Sequence, residues 1–442
     1  MSKRGRTRSK KRTTKPPILN QDPLDVNILH QSDQTKPSSS SSILQKFSTL
    51  FLPINYPTSV RDGYIEYQIW DVVQGLTSYL RGQLAYQSML VGLGVGDVKA
   101  SATVGVLQKI IRDTTSMVGS LLFTYFYSDE FGYDVRQWRL FADVSNDLGL
   151  TLHFVAPLAG KENFVTIACI ASLLTTMCGI SAGATKAYIS SHFALDNNLT
   201  DLVAKEGSQE TAVNILGLVG GYLMVASLGN IEQGANTVWI SFILLTIIHV
   251  VANIYAIHYL TFNYLNLQRF NICLNNFVNS KYRVESKETY HEICRQEPFL
   301  PNICCASKQE RNCVVLGSNH NLIDRKDVHT FTQGLIFPLN SNGTRTRNKN
   351  AKFVILQDKT SELMHVLLHE KATHQDILRG MYEAHAIKRF GYNYFYKSTT
   401  VSENEEQVYI TFEEFQKTLH AQQWNLKNTN FKINTVRYSS FV

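Results

Sequence analysis

His365 and His369 stand four residues apart with His374 close behind, a spacing that would let two imidazoles share a zinc ion on a helix. The Val-Leu-Leu between them favours a strand instead. On a strand the two rings lie about 13 Å apart and cannot meet at one metal. His291 with Cys294, Cys304, Cys305 and Cys313 is a second loose cluster without a CxxC pair, and reads as buried or idle thiols. The run VGLGVGD at 91–97 spaces its glycines at 92, 94 and 96, not as G-x-G-x-x-G, and follows a helical apolar run. It reads as a break at a helix end, where glycine allows positive φ. No P-loop, HEXXH or Ser/His/Asp signature is present. Neither a metal, a cofactor nor an enzymatic reaction is expected.

The remaining chemistry lies in polar residues set among apolar ones. Asp143 and Asp147 are four apart on one helix face, with Asn146 beside them. Lys109 and Asp113 share a face likewise, and Arg112 lies between them in sequence. Charges at membrane depth pair with one another or line a cavity. Two readings stand: a structural cross-helix pair of Arg112 with Asp143 or Asp147, or a polar substrate path. A second patch, Lys205 to Glu210, abuts an uncharged run. Ser208 can cap a helix that starts near Gln209, and Glu210 in its first turn gains from the helix dipole. Lys205 gains nothing there, so Lys205, Ser208, Gln209 and Glu210 are expected at the mouth of a bundle, against an anionic ligand or the C-terminal domain.

The elements that must hold these residues are helices. Residues 163–185, 211–231 and 233–268 contain no Asp, Glu, Lys or Arg. Each exceeds the roughly 20 apolar residues that a crossing requires. Residues 82–96 are uncharged but span only about 22 Å as a helix. Residues 102–127 carry Lys109, Arg112 and Asp113, and residues 140–157 carry Asp143, Asp147 and His153. Six crossings, with both termini on the cytoplasmic, matrix or stromal side, satisfy the positive-inside rule. They place the loop with Glu232 on the opposite side. Gly179 and Gly183 form one GxxxG and Gly217 and Gly221 another, read as close helix packing.

The formal charge of +7 belongs to the N-terminus: the first 37 residues hold nine Lys/Arg and three Asp, out of 43 basic and 36 acidic residues in the chain. A neutral protein with a basic arm is not a nucleic-acid-binding domain. Seven cysteines at loose spacing favour free thiols in a reducing compartment. The texture predicts a disordered basic tail over 1–42, a helical membrane domain over 43–270 and a C-terminal soluble domain over 280–442. In the last, CVVLG, KFVILQD and LMHVLLH read as strands, and helices are expected from about His374 to a stop at Gly391 and from Thr411. FKINTVRYSSF reads as a closing strand. The fold class expected is mainly α: a multi-pass transmembrane helical bundle followed by a smaller soluble α+β domain.

The segments FLPINYPTSVRDGYIEYQIWD, GLGVGDVKAS, RQWRLFADVSND, GISAGATKA, DNNLTDLVAKEGSQET and VNILGLVGG, in this order, resemble the root UVB sensitive (RUS) family. The resemblance is dense over about 51–269 and thinner beyond. It implies a multi-pass helical membrane protein, linked to UV-B responses and vitamin B6 homeostasis, without an established reaction. Its motifs fall on Trp138, Arg139, Asp143, Asn146, Asp147, Gly183, Lys186, Lys205, Ser208, Gln209 and Glu210. The reading that follows is a non-enzymatic integral membrane protein that handles a small polar or anionic metabolite, in a lipid bilayer, alone or as an oligomer with family members. The alternative is a membrane-anchored scaffold acting through its C-terminal domain; an enzyme with a pyridoxal-type cofactor ranks third.

Overall fold

The computed structural model describes residues 46–95, 101–228, 231–280, 288–298, 314–317, 335–336, 351–357, 363–390, 412–427 and 429–433. The expected tail over 1–42 lies outside them. Residues 49–442 form one compact unit, with residues 1–48 a unit of their own.

Among the described residues, six long helices follow one another: α1 (Tyr64–Gly92), α2 (Ala102–Tyr127), α3 (Val135–Val155), α4 (Gly160–Phe193), α5 (Leu199–Leu228) and α6 (Ile231–Tyr259). They run up and down. One apolar cluster joins Tyr64 at the start of α1, Val135 at the start of α3, Phe193 at the end of α4, Leu202 early in α5 and Ala256 late in α6. Another joins Leu84 of α1, Phe154 at the end of α3 and Val238 and Phe242 early in α6. Phe123, late in α2, packs on Trp138 and Phe141 early in α3. The start of α1 and the end of α6 therefore lie at one end of the bundle.

Central to the bundle is α1, which packs on α3, α5 and α6. Gly63, at φ +85°, turns the chain into it. The sequence offers only a short candidate at 82–96 here; the helix is 29 residues long. Asp71 and Arg81 mask it by lowering the hydropathy of the run, yet both charges find partners inside the bundle. Gly217 and Gly221 of α5 allow the close approach expected of a GxxxG pair: a Cβ would stand 2.7 Å from Tyr79 at the first and 2.6 Å from Gln83 at the second.

Among the described residues, three stretches are long and apolar enough to cross a membrane: Val135–Phe193, Leu199–Leu228 and Asn236–Tyr259. Their outer faces are bare. Leu216, Leu218, Val219 and Leu223 of α5 and Ile243, Leu244, Ile247 and Ile254 of α6 are all exposed. Contiguous apolar surface of this kind marks an interface with something other than water.

The C-terminal region holds α7 (Leu267–Asn279), α8 (Tyr290–Gln296), α9 (His374–Phe390) and α10 (Phe412–Ala421) around a small sheet. Strands β1 (Val314–Leu316), β2 (Leu335–Ile336), β3 (Phe353–Gln357) and β4 (Met364–Leu368) lie in the order β1-β4-β3-β2. β4 is buried throughout, parallel to β1 (Val314↔Met364) and antiparallel to β3 (Phe353↔Leu368). His365 lies on β4, so the histidine pair follows strand geometry. Thr373 and Asp376 cap α9 reciprocally, with Thr373 N 2.8 Å from Asp376 Oδ2 and Asp376 N 3.3 Å from Thr373 Oγ1. Of the expected closing strand, residues 434–442 lie outside the described residues; Thr429 makes an isolated parallel bridge to Leu265 just before it.

A buried ionic node fixes this region to the bundle. Glu297 Oε2 accepts from Arg136 Nη1 of α3 at 3.1 Å and from Arg269 Nε and Nη2 of α7 at 3.0 Å. Asn266 Nδ2 donates to Glu297 Oε1 at 2.8 Å and to Asp134 Oδ1 at 3.0 Å. Burial pushes the Glu297 carboxyl up, but Arg269 and then Arg136 outweigh it and hold the group below the usual carboxylate range.

Candidate functional site

Asp71, Gln74, Ser78 and Arg81 recur along α1 at steps of three and four, so they form one stripe. Arg139, Asp143, Asn146 and Asp147 form the facing stripe of α3. The stripes meet rung by rung. Arg139 Nη2 lies 2.7 Å from Asp71 Oδ1 and 3.2 Å from Gln74 Oε1. Gln74 Nε2 donates to Asp143 Oδ1 at 2.9 Å, and Asn146 Nδ2 to Ser78 Oγ at 2.8 Å. Arg81, its side chain wholly buried, pairs with Asp147 at 2.5 Å. From α6, His249 Nδ1 stands 2.9 Å from the same Asp147 oxygen and its Nε2 3.4 Å from Gln74 Nε2. Donation from Nδ1 to Asp147 leaves Nε2 to accept from Gln74.

This layer corrects the expected partnership. Arg112 meets neither Asp143 nor Asp147. It lies on α2, 3.7 Å from its neighbour Asp113, which also pairs with Lys109. Arg139 is four residues from Asp143 on the same helix, at 3.8 Å, and Arg81 comes from the helix that the sequence concealed. Asp143 and Asp147 are indeed buried or nearly so, as charges in an apolar bundle must be when paired.

Above one side of this layer lies a polar cavity of about 380 Å³ between α1, α3, α4 and α5. Asp71 and Gln74 of α1, Arg139 of α3, Lys186 of α4 and Glu206, Gln209 and Glu210 of α5 line it. Gln68 Nε2 and Ser190 Oγ donate to Glu206 at 2.9 and 2.7 Å. Lys186 Nζ lies 2.6 Å from Glu210 Oε2. Gly179 and Gly183 line it too, and a Cβ at either would meet nothing within 4 Å. The expected packing role of this GxxxG is therefore corrected: the missing side chains leave room in the cavity, and among the described residues no partner helix packs against them.

Two residues of the expected mouth stand elsewhere. Ser208 is not an N-cap: α5 begins at Leu199, and the exposed Ser208 hydroxyl donates back to Ala204 O at 3.1 Å in mid-helix. Lys205 Nζ donates to Thr49 O at 2.5 Å and lies 3.9 Å from Asp201, so its charge is met by the segment before α1 and by a carboxylate one turn back on α5. Gln209 Nε2 bonds the neighbouring Phe51 O at 2.6 Å. Lys205 and Gln209 thus hold the segment before α1 across α5. The side chain of Glu232 lies outside the described residues.

Arg112 lines a second cavity of about 510 Å³ between α1, α2, α3 and α4. Its polar lining is mostly hydroxyls, Ser116, Ser120, Ser172, Thr175 and Thr176, with His153 beside Ser172 at 3.4 Å. Residues that sequence reasoning missed are Asp71, Gln74, Arg81 and His249. The signal was available for α1: a polar stripe at 71, 74, 78 and 81 has helical period.

A bundle of up-and-down helices with an apolar outside, a charged layer and a polar cavity defines the class: a helical bundle built around buried polar chemistry. Residues 37–281 match the family described as vitamin B6 photo-protection and homoeostasis domain. The chain is 31% identical to Protein root UVB sensitive 3 of Arabidopsis thaliana, over 85% of this chain and 81% of that protein. It is 32% identical to RUS family member 1 of Dictyostelium discoideum, over 68% of this chain and 56% of that protein. It is 23% identical to Protein root UVB sensitive 5 of Arabidopsis thaliana, over 95% and 84%. The chain belongs to the RUS family. No solved structure matches it.

Proposed function

We propose that the chain is a six-crossing integral membrane protein whose bundle takes up a small polar metabolite, with a B6 vitamer as the leading candidate. The observation that carries this reading is the polar cavity. Water-excluded charge in a lipid-facing bundle is costly, and a volume of 380 Å³ falls in the range of small-molecule sites. Its lining sets two cations, Arg139 and Lys186, against three carboxylates, Asp71, Glu206 and Glu210. Such a lining suits a ring that both donates and accepts hydrogen bonds, more than a bare anion. A substituted pyridine with hydroxyl groups has that character, which agrees with the vitamin B6 description of the family.

Both ends of the six-helix set lie at one end of the bundle, which supports a topology with both termini on the cytoplasmic, matrix or stromal side. In the scaffold alternative the C-terminal region would act by itself; the node at Glu297 ties it to α3, which favours a role in supporting the bundle. The test is the unfolding temperature of the purified chain in detergent with pyridoxine, pyridoxal and pyridoxal 5′-phosphate. Concentration-dependent stabilisation by at least one vitamer is expected. No shift with any of them, at millimolar concentration, would remove the vitamer reading.

A further inference from the structure

We propose that the two cavities are successive stations on one path through the membrane, and that the path opens by rocking of two three-helix bodies; this rests on the polar cavity being a metabolite site. The helices sort into two bodies by their packing. α1 packs extensively on α5 and α6, and α4 on α2 and α3, whereas contact between the sets is thinner. Within each body glycines permit close backbone approach. Gly217 and Gly221 seat α5 on α1; Gly149 of α3 faces Thr175 of α4 at a Cβ distance of 2.7 Å, and Gly119 of α2 lies under Leu173 of α4. Such contacts do not slide.

The seam between the bodies is of another kind. Its middle is the polar ladder Arg139–Asp71, Gln74–Asp143, Asn146–Ser78 and Arg81–Asp147, which joins α1 of one body to α3 of the other. Hydrogen-bonded groups can exchange partners with water or a polar ligand, which interlocked side chains cannot. Both cavities lie on this seam, at different depths. The polar cavity takes residues 67–75 of α1, 139 of α3 and 179–190 of α4; the hydroxyl-lined one takes 82–89, 150–153 and 172–176 of the same helices. From Gln74 to Ala85 is about 16 Å along α1. The rungs Asn146–Ser78 and Arg81–Asp147 occupy the interval, while Asp71, Gln74 and Arg139 form the wall of the polar cavity. At the far end Gly92 of α1 lies under Phe164 of α4, a contact across the seam that must part for the second cavity to reach that side. The path thus has a ligand station on either side of a breakable charged layer, the arrangement that alternating access requires.

The experiment cross-links the seam. Ser78→Cys with Asn146→Cys places two thiols where the side chains now touch at 2.8 Å. The full chain is reconstituted into phosphatidylcholine vesicles loaded with tritiated pyridoxine, and exchange against external pyridoxine is followed. In parallel arms pyridoxal and pyridoxal 5′-phosphate, the other vitamers of the thermal panel, replace pyridoxine inside and out. The parent under the same oxidant gives the background from its own seven cysteines. Oxidation is expected to slow exchange of the vitamer that stabilises the chain at least tenfold, to leave its thermal shift in place, and to be reversed by dithiothreitol. Undiminished exchange in the cross-linked protein overturns the proposal. So does a parent that binds one of these vitamers but does not exchange it, which leaves the cavity reading intact. A parent that binds none of the three vitamers removes both. Should the double variant fail to fold, Ser120→Cys alone serves: its labelling rate by an impermeant maleimide must change when the stabilising vitamer is added, and an unchanged rate overturns the proposal.

Discussion

Arg81→Met is the perturbation that separates the ladder from every other charged pair in the bundle. The Arg81 side chain is 0% exposed and that of Asp147 16%. Two unit charges about 4 Å apart interact by roughly 4 kcal/mol at an effective dielectric of 20. Removing one member of a buried pair costs about 3–5 kcal/mol, because the other is left desolvated. His249 still donates to Asp147, which keeps the loss toward the lower figure. The guanidinium also lies 5.2 Å from the Phe242 ring centroid, and a desolvated contact of this type adds about 1–2 kcal/mol. Arg81→Met should therefore destabilise by about 3–5 kcal/mol, and adding Asp147→Asn should restore part of it. Arg112→Met should cost under about 1 kcal/mol, since that side chain is 22% exposed and its partner Asp113 39%. The assay is unfolding of the purified variants in one detergent, scored as retained monodisperse protein against temperature and denaturant. If Arg112→Met were the more damaging variant, or if Asp147→Asn worsened Arg81→Met, the ladder would not be the paired element described.

Three further outcomes follow from single residues. Gly217→Val drives a side chain into Tyr79 and should destabilise by about 1–3 kcal/mol, whereas Gly183→Ala meets nothing and should leave the unfolding temperature unchanged or higher. Glu297→Ala removes the carboxylate that Arg136 and Arg269 share and should cost about 3–5 kcal/mol; because the native Glu297 carboxyl sits below its usual value, its contribution is whole above about pH 4.3 and drains away below it, so Glu297→Gln should flatten the acid limb of the stability curve. Burial lowers His385 to about 4, so unfolding binds a proton from about pH 6.5 downward; stability should fall by about 1.4 kcal/mol per pH unit toward pH 4, and His385→Leu should remove that slope.

The firm parts of the fold were written in hydropathy. Uncharged runs at 163–185, 211–231 and 233–268 became the apolar cores of α4, α5 and α6 because helix length and side-chain transfer energy act locally. α1 was hidden for the converse reason: Asp71 and Arg81 spoil its hydropathy, and the partners that make them tolerable come from α3, about 66 residues away. Pairing is a tertiary fact, so Arg112 and Arg81 were indistinguishable as partners of Asp147 from spacing alone. Ser208 misled because a serine before a charge-free run looks like a cap, while the helix simply continues through it from Leu199. The two GxxxG motifs share one spacing, yet Gly217 faces Tyr79 and Gly183 faces a cavity. What each glycine meets depends on the rotation of its helix, which the motif does not encode.

The polar cavity is tested most directly by equilibrium binding of the tritiated vitamer that stabilises the chain to three purified proteins: the parent, Gly183→Leu and Gly207→Leu. A Cβ has open space at both positions, but Gly183 lines the polar cavity and Gly207 does not. The three proteins should unfold at similar temperatures without ligand. Parent and Gly207→Leu should then bind alike, and Gly183→Leu, with the cavity filled, should bind at least tenfold more weakly. Equal binding by Gly183→Leu and the parent would show that the cavity is not the site.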